Sequence, residues 1–356
     1  MCAMLKARDH TVIHYGNEAS DVVCDEHVTI TRKDDIGTPD SYLAYDLTSR
    51  VYRLFNLSAV AEIERRKQPK DFLLCMWGAG HKPVADQHPD LLVVEPGIGY
   101  PGGHFAPFKV FESYAILHAY YGMKAVASNE HFNWYEVVIP NYFDPDDFTF
   151  SGNKKNYFLF LGRVHPAKGI HLAIQIAEAT NTELCIAGPG EFKWPESSLV
   201  KFEGVVGLDK RRSFLSNAKA LIAPSMFLEP FCGSATEAHF SGTPVISTDW
   251  GAFAENNLHG ITGYRCRTFE QFTWAVQNID KISPQACRHW AVSNFSMERV
   301  SEMYEEFFWS IMNVANGNGW YELMPERSHL SWLFKSYPGA WFPPNTKVSQ
   351  CAALAV

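Results

Sequence analysis

Residues 228–239 read Leu-Glu-Pro-Phe-Cys-Gly-Ser-Ala-Thr-Glu-Ala-His, with Glu229 and Glu237 separated by seven residues. The apolar run Leu221 to Ala223 just before them reads as a strand. After Phe231, Cys232 and Gly233, a helix is expected to about Ser241, and a further strand over Pro244 to Thr248. Upstream, LGRVHPAKG (Leu161 to Gly169) sets Arg163 and Lys168 around a second strand-to-helix turn. Both stretches therefore place charged side chains where a strand hands over to a helix, whose free N–H groups face the same space.

Working outward, the second half alternates regularly. Strands are expected at Tyr157 to Leu161, Leu184 to Ala187 and Val200 to Val206, with helices over Gly169 to about Thr180 and near Asp209 to Asn217. Strands spaced by helices of this length make a parallel sheet with right-handed crossovers. Such sheets bind ligands beyond the carboxyl ends of their strands. Arg163, Gly188, Glu229 and Asp249 each follow a strand and so belong on that one edge.

The first half reads less cleanly. Strands are expected at Thr11 to Tyr15, Phe72 to Met76, Leu91 to Glu95, Lys124 to Ser128 and Val137 to Pro140. A helix is expected over Phe111 to Tyr121, stopped by Gly122. The polar stretch Asn141 to Asn156 reads as a linker. The segment from about Ser331, rich in Trp and Pro, is expected either to wrap back on the first domain or to be a loose tail. The domains are then 1–145, 146–300 and a C-terminal helix and tail over 301–356 returning toward the first.

Composition narrows the classes of function. At 356 residues the chain exceeds the size at which one core divides, and 46% hydrophobic residues support two proper cores. The net charge of −8, with no long basic run, argues against a nucleic-acid-binding domain. Eight cysteines, at positions 2, 24, 75, 185, 232, 266, 287 and 351, form no CxxC pair and are read as reduced thiols of a cytoplasmic protein. The fourteen histidines show no HxxxH or HExxH spacing, so no metal site is expected. No apolar run approaches the ~20 residues of a membrane helix, leaving peripheral membrane contact as the open form of attachment.

The candidate site follows from the chemistry of these side chains. Arg163 and Lys168, beside a helix N-terminus and between Gly162 and Gly169, suit a diphosphate. Taken alone, they read more readily as a surface Arg and Lys on a loop, and the flanking glycines raise the functional reading. Carboxylates accept paired hydrogen bonds from adjacent sugar hydroxyls, so Glu229 and Glu237 suit a sugar and a ribose either side of that diphosphate. Glu237 alone reads as a helix-favouring Glu stabilised by the dipole by ~0.3–1 kcal/mol; the pair in this setting points to function. The turn IAGPGE (Ile186 to Glu191) lacks a dinucleotide fingerprint. His104, in GIGYPGGHF (Gly97 to Phe105), is an acceptor-side candidate with a structural role as its alternative.

Together these motifs resemble the retaining glycosyltransferases of the GT-B class, group 1 (GT4-like). IPNYFD (Ile139 to Asp144) resembles the inter-domain signature, and LGRVHPAKG the diphosphate loop. EPFCGSATEAHFSGTPVI (Glu229 to Ile246) resembles the E-x7-E motif, and HGITGYRC (His259 to Cys266) the stretch closing the binding domain. The resemblance implies an α/β fold of two Rossmann-like domains with parallel sheets facing a cleft. It implies a nucleotide-diphosphate sugar donor, UDP- or GDP-linked, and hexosyl transfer with retention to a glycan, lipid or protein acceptor, without a required cofactor or metal. Glu229 would contact the transferred sugar as the catalytic group. Arg163, Lys168 and the backbone around Phe231, Cys232, Gly233 and Ser234 would bind the diphosphate, Glu237 the ribose, and Gly204 to Leu208 the base. Two departures stand out: Cys232-Gly233 replaces the usual Gly-Leu, and the start resembles the end of the family's first helix, so that the first strand is expected to be missing. VEPGIGY (Val94 to Tyr100) occupies the place of the family's first-domain histidine. A non-catalytic sugar-nucleotide or glycan-binding remnant is the alternative reading, and an epimerase of the same architecture a third.

Overall fold

The computed structural model describes residues 1–36, 49–100, 102–128, 133–191, 193 and 197–320. The tail expected from Ser331 lies outside the described residues. The chain divides into two units: one of Met1–Phe111, Glu130–Ile139 and the segment from Ser301, the other containing Glu112–Asn129 and Pro140–Val300.

The elements through the first half are, in order, α1 (Cys2–Lys6), β1 (Ile13–Asn17), β2 (Glu26–Thr31), α2 (Lys33–Ile36), α3 (Arg50–Glu64), β3 (Phe72–Leu74), α4 (Lys82–Asp86), β4 (Leu92–Ile98), β5 (Phe108–Phe111), α5 (Tyr114–Ser128) and β6 (Glu136–Val138). In the first unit β1 pairs with β2, and a separate sheet runs β3-β4-β5-β6; all these pairs are parallel. Helix α3 starts at Ser49, whose hydroxyl accepts the Tyr52 N–H. Its residues Phe55, Ala59 and Ile63, four apart on one face, pack with Val28, Ile30, Val84 and Leu91. On neighbouring strands the buried Lys109 ammonium donates to Glu136 at 3.0 Å.

Two sequence expectations fail here. The helix expected over Phe111 to Tyr121 begins later, because FKVF (108–111) is buried along its whole length as β5 between β4 and β6. It then runs through Gly122 to Ser128, so the strand expected at Lys124 to Ser128 is the last part of α5. Gly122 faces open space and costs the helix only about 1 kcal/mol. Val126 is 91% exposed, so this stretch has no apolar face to bury as a strand. At the other end the Glu255 carboxylate accepts the Tyr114 and Ala115 N–H groups at 2.9 and 2.7 Å, satisfying donors that a helix start leaves free.

The second half continues with β7 (Phe158–Leu161), α6 (Ile170–Ala179), β8 (Leu184–Ala187), β9 (Val200–Gly204), α7 (Leu208–Asn217), β10 (Ala220–Ala223), α8 (Gly233–Phe240), β11 (Val245–Thr248), α9 (Phe253–Asn256), β12 (Gly263–Cys266), α10 (Phe269–Asn278), α11 (Pro284–Phe295) and α12 (Met297–Ala315). One parallel sheet takes the order β12-β11-β10-β7-β8-β9. Along β7 the side chains alternate: Phe158 and Phe160 join the core that includes α6 and α10, Leu159 and Leu161 the core on the opposite face with α8. The chain order reverses between β7 and β10, which makes the space beyond their carboxyl ends the switch point where doubly wound sheets bind ligands.

The stretch expected as a linker is tied down. Phe143 donates to and accepts from the backbone of Phe295 and Met297, each at 2.9 Å, and its ring packs with Phe148 and Phe240. Lys154 donates to Ser216 O and Ser241 O at the ends of α7 and α8, and to the Thr243 hydroxyl. A cation at helix C-termini is favoured by the dipole, although burial pulls this ammonium down to about 8.

Candidate active site at the sheet switch point

The turn after β7 is built on Gly169. Its φ is +75°, and a Cβ there would meet Pro224 O at 2.1 Å, so only glycine fits. His165 caps the preceding turn by accepting the Ala167 N–H at 3.1 Å. Met226 N–H donates to Ala167 O at 2.8 Å, stitching this turn to the loop after β10. These constraints bring Lys168 to Glu229.

The Lys168 ammonium donates to Glu229 Oε1 at 2.7 Å and stands 4.6 Å from the centre of the Phe227 ring. The buried Ser225 hydroxyl donates to the same oxygen. Glu229 is 2% exposed, and its carbonyl accepts the Ala252 N–H at 2.9 Å. Residues adjacent in sequence carry no charge near Glu229; its cation arrives from the other side of the switch point.

Glu237 lies in α8 and has a different partner. Arg211, in the first turns of α7, donates through Nε to Oε2 at 2.7 Å and through Nη2 to Oε1 at 2.6 Å. Such a bidentate pair fixes geometry as well as charge. Neither Arg211 nor Ser225 stands in a motif that sequence reading brought to the site. The signal available for Arg211 was the cationic run Lys210-Arg211-Arg212 at a helix start on the ligand edge.

Both pairs line one cavity of about 270 Å³, with Gly162 and Arg163 from the β7 turn and Cys232, Gly233 and Ser234 at the start of α8. Arg163 is exposed and, among the described residues, has no hydrogen-bonding or ionic partner. Three cations (Arg163, Lys168, Arg211) against two carboxylates (Glu229, Glu237) leave one positive charge in excess. Added to an uncapped helix start, that excess favours an anion.

The start of α8 departs from ordinary backbone. Cys232 has φ +66° and ψ 72°, the left-handed region in which glycine is usual. Gly233 has no such constraint: a Cβ there would find Phe143 at 3.5 Å and Glu237 Oε1 at 3.9 Å, ordinary contacts. The Cys232 thiol lies 3.6 Å from the Ser234 hydroxyl and is pushed up to about 11 by burial and then by Glu229. It is a bulky apolar group there, not a thiolate.

Not every expected residue reaches the cavity. The Phe231 ring is core, packed among Phe240, Trp290 and Phe295, while its carbonyl accepts from Asn256 at 3.0 Å. Asp249 follows β11 but pairs with Arg265 and Arg267. His104 belongs to the other unit. Its ring packs on Tyr100 and Phe111, Nε2 lies 2.9 Å from Tyr100 O, and burial pulls its pKa down. Nearby, the buried Glu95 carboxylate holds the same loop through the Phe105 and Ala106 N–H groups, both at 2.8 Å. Among the described residues no helix is long and apolar enough to cross a membrane, and no cluster of three or more His, Cys, Asp or Glu is placed to hold a metal ion.

Comparison with known proteins accords with this geometry. Residues 145–285 match the profile of "Glycosyl transferases group 1". An uncharacterized glycosyltransferase of Methanocaldococcus jannaschii is 29% identical over 172 residues, 44% of this chain and 42% of that protein. The lipopolysaccharide 1,2-N-acetylglucosaminetransferase of Salmonella typhimurium is 26% identical over 177 residues, 42% of this chain and 46% of that one. The chain thus spans less than half the length of these curated relatives. Among solved structures, sucrose-phosphate synthase from Thermosynechococcus elongatus is similar with a TM-score of 0.63 at 15% identity, over 87% of this chain and 91% of that one. The Anabaena protein HepE, solved with UDP and glucose, gives a TM-score of 0.58 at 15% identity, over 80% and 86%. These likenesses show the two-domain, Rossmann-like GT-B fold, and residues 145–285 are similar to the glycosyl transferases group 1.

Proposed function

We propose that this chain transfers a sugar from a nucleotide-diphosphate sugar to an acceptor, with retention of anomeric configuration. The observation that carries the reading is the cavity at the switch point, where Lys168–Glu229 and Arg211–Glu237 face one space beside Arg163 and the start of α8. Arg163 and Lys168 bind the diphosphate, with the backbone N–H groups of Phe231 to Ser234. Glu237 accepts from the ribose hydroxyls. The base lies along Gly204 to Leu208, where Val205 and Leu208 are 77% and 72% exposed. Glu229 contacts the transferred sugar.

In the reaction the bond from the anomeric carbon to the diphosphate oxygen breaks, a bond to the acceptor oxygen forms, and the acceptor hydroxyl's proton passes to the departing diphosphate. The leaving diphosphate gains charge, which pre-placed cations and amides stabilise without reorganisation. The start of α8 and the excess positive charge of the cavity supply that stabilisation. Donors of both bases, UDP and GDP, fit the reading, and HepE with UDP and glucose lends support to the first. His104 is kept as the acceptor-side residue of the first unit.

The test is mass spectrometry of sugar transfer, or of slow donor hydrolysis, across UDP- and GDP-sugars. Glu229→Ala abolishes both reactions, while Lys168→Ala chiefly weakens donor binding. Absence of binding and turnover with every donor refutes the reading; wild-type rates in both variants refute the roles.

A further inference from the structure

Arg211 is the cavity cation that no motif accounts for. Its two hydrogen bonds, at 2.6 and 2.7 Å, engage both oxygens of Glu237. Among the described residues nothing else hydrogen-bonds that carboxylate. Glu237 is 8% exposed and sits inside α8, too far from the helix start to be held by free N–H groups. Among the described residues the pair therefore supplies every hydrogen bond to the carboxylate and fixes its plane.

A carboxylate offers about four lone-pair sites on its two oxygens, and a guanidinium fork takes one on each. One site on each oxygen remains. Glu237 lines the cavity beside Gly233, where a Cβ would stand 3.9 Å from Oε1, an ordinary contact. Two acceptor sites in a fixed plane, on a carboxylate that lines the cavity, match a group that presents two neighbouring O–H donors. A carboxylate free to rotate would lose that match, since ordering it would be left to the ligand.

We propose that Arg211 is a positioning residue, which orients Glu237 so that its free lone pairs receive the vicinal hydroxyls of the donor's ribose. This rests on the reading of Glu237 as the ribose-binding group. It differs from a third phosphate-binding cation, because Arg211 acts through Glu237 and does not touch the diphosphate. Arg211 and Glu237 then behave as one unit toward ribose, and a ligand without ribose feels only the change in cavity charge.

The experiment is calorimetric titration of the whole chain with UDP, GDP and inorganic pyrophosphate, for the wild type, Arg211→Met, Arg211→Lys, Glu237→Gln and the double variant Arg211→Met/Glu237→Gln. Arg211→Met is expected to weaken the preferred nucleoside diphosphate by about tenfold or more and pyrophosphate by several-fold less, since pyrophosphate loses only the cavity's excess charge. Arg211→Lys recovers part of the loss, and the double variant binds no more weakly than Glu237→Gln. An equal loss for pyrophosphate, or unchanged nucleotide binding in Arg211→Met, overturns the proposal and leaves the donor reading intact. A wild type that binds neither nucleoside diphosphate overturns both. Arg211→Lys, which keeps the charge, guards against a Met variant that fails to fold.

Discussion

Replacing Lys168 with methionine separates the two contributions that meet at Glu229. In the wild type the Glu229 carboxylate, 2% exposed, receives the Lys168 ammonium at 2.7 Å and the Ser225 hydroxyl. Methionine keeps most of the stem packing and removes the charge. A fully buried pair broken on one side costs about 3–5 kcal/mol, because the remaining charge is uncompensated. Here the Lys168 side chain is 22% exposed and borders a cavity that water can enter, so the expected cost is roughly 2 kcal/mol. For a unit of this size that is a fall of about 4–8 °C in melting temperature. The double variant Lys168→Met/Glu229→Gln leaves no charge buried and should recover more than half the loss, with the substituted side chain's amide oxygen still accepting from Ser225. The assay is thermal unfolding of all three proteins in one buffer. A single variant melting within about 1 °C of wild type, or a double variant worse than the single, refutes the view that Lys168 neutralises a buried carboxylate.

Three further outcomes follow from the structure. His239 and His81 are held at about 4 by burial, below their ordinary value, so their contribution to stability is complete above about pH 6.5 and is lost as pH falls toward 4; on the order of 2 kcal/mol each is lost by pH 5, partly offset by Glu112 and Glu255, which burial raises, and urea unfolding at pH 7 and pH 5 measures it. Cys232, pushed up to about 11, should alkylate at pH 8 on the order of a hundredfold more slowly than an ordinary thiol, as read by peptide mass spectrometry; labelling at the rate of a free thiol counts against the buried setting. Glu255→Ala removes the acceptor for two N–H groups at the start of α5 and should cost about 1 kcal/mol, seen as faster amide exchange at Tyr114 and Ala115; unchanged exchange there rules the cap out.

The second unit was largely legible before any coordinates. Strands such as FLFL and ALIA are short apolar runs bounded by turn residues, and the helices between them carry an apolar face, so local pattern and tertiary burial agree. In the first half of the chain they disagree. The strand FKVF reads as the start of the helix that follows, because a four-residue buried strand has no periodicity of its own. Gly122 reads as a stop because the sequence does not reveal that the Glu255 carboxylate, far away in the chain, already secures the other end of α5.

The sequence by itself determined which residues lie on the ligand edge of the sheet. Strand, turn and helix alternate in a local pattern, and in a parallel sheet every turn after a strand falls on the same side. From that follow Arg163, Lys168, Glu229 and Glu237 as candidates, and the family that their motifs resemble. Which charges touch was decided only by the tertiary structure. Strand order β7 beside β10 sets Lys168 on Glu229, and the docking of α7 against the start of α8 gives Glu237 to Arg211. Ion pairing depends on distances of a few ångströms between segments up to 61 residues apart, and no local pattern encodes those distances.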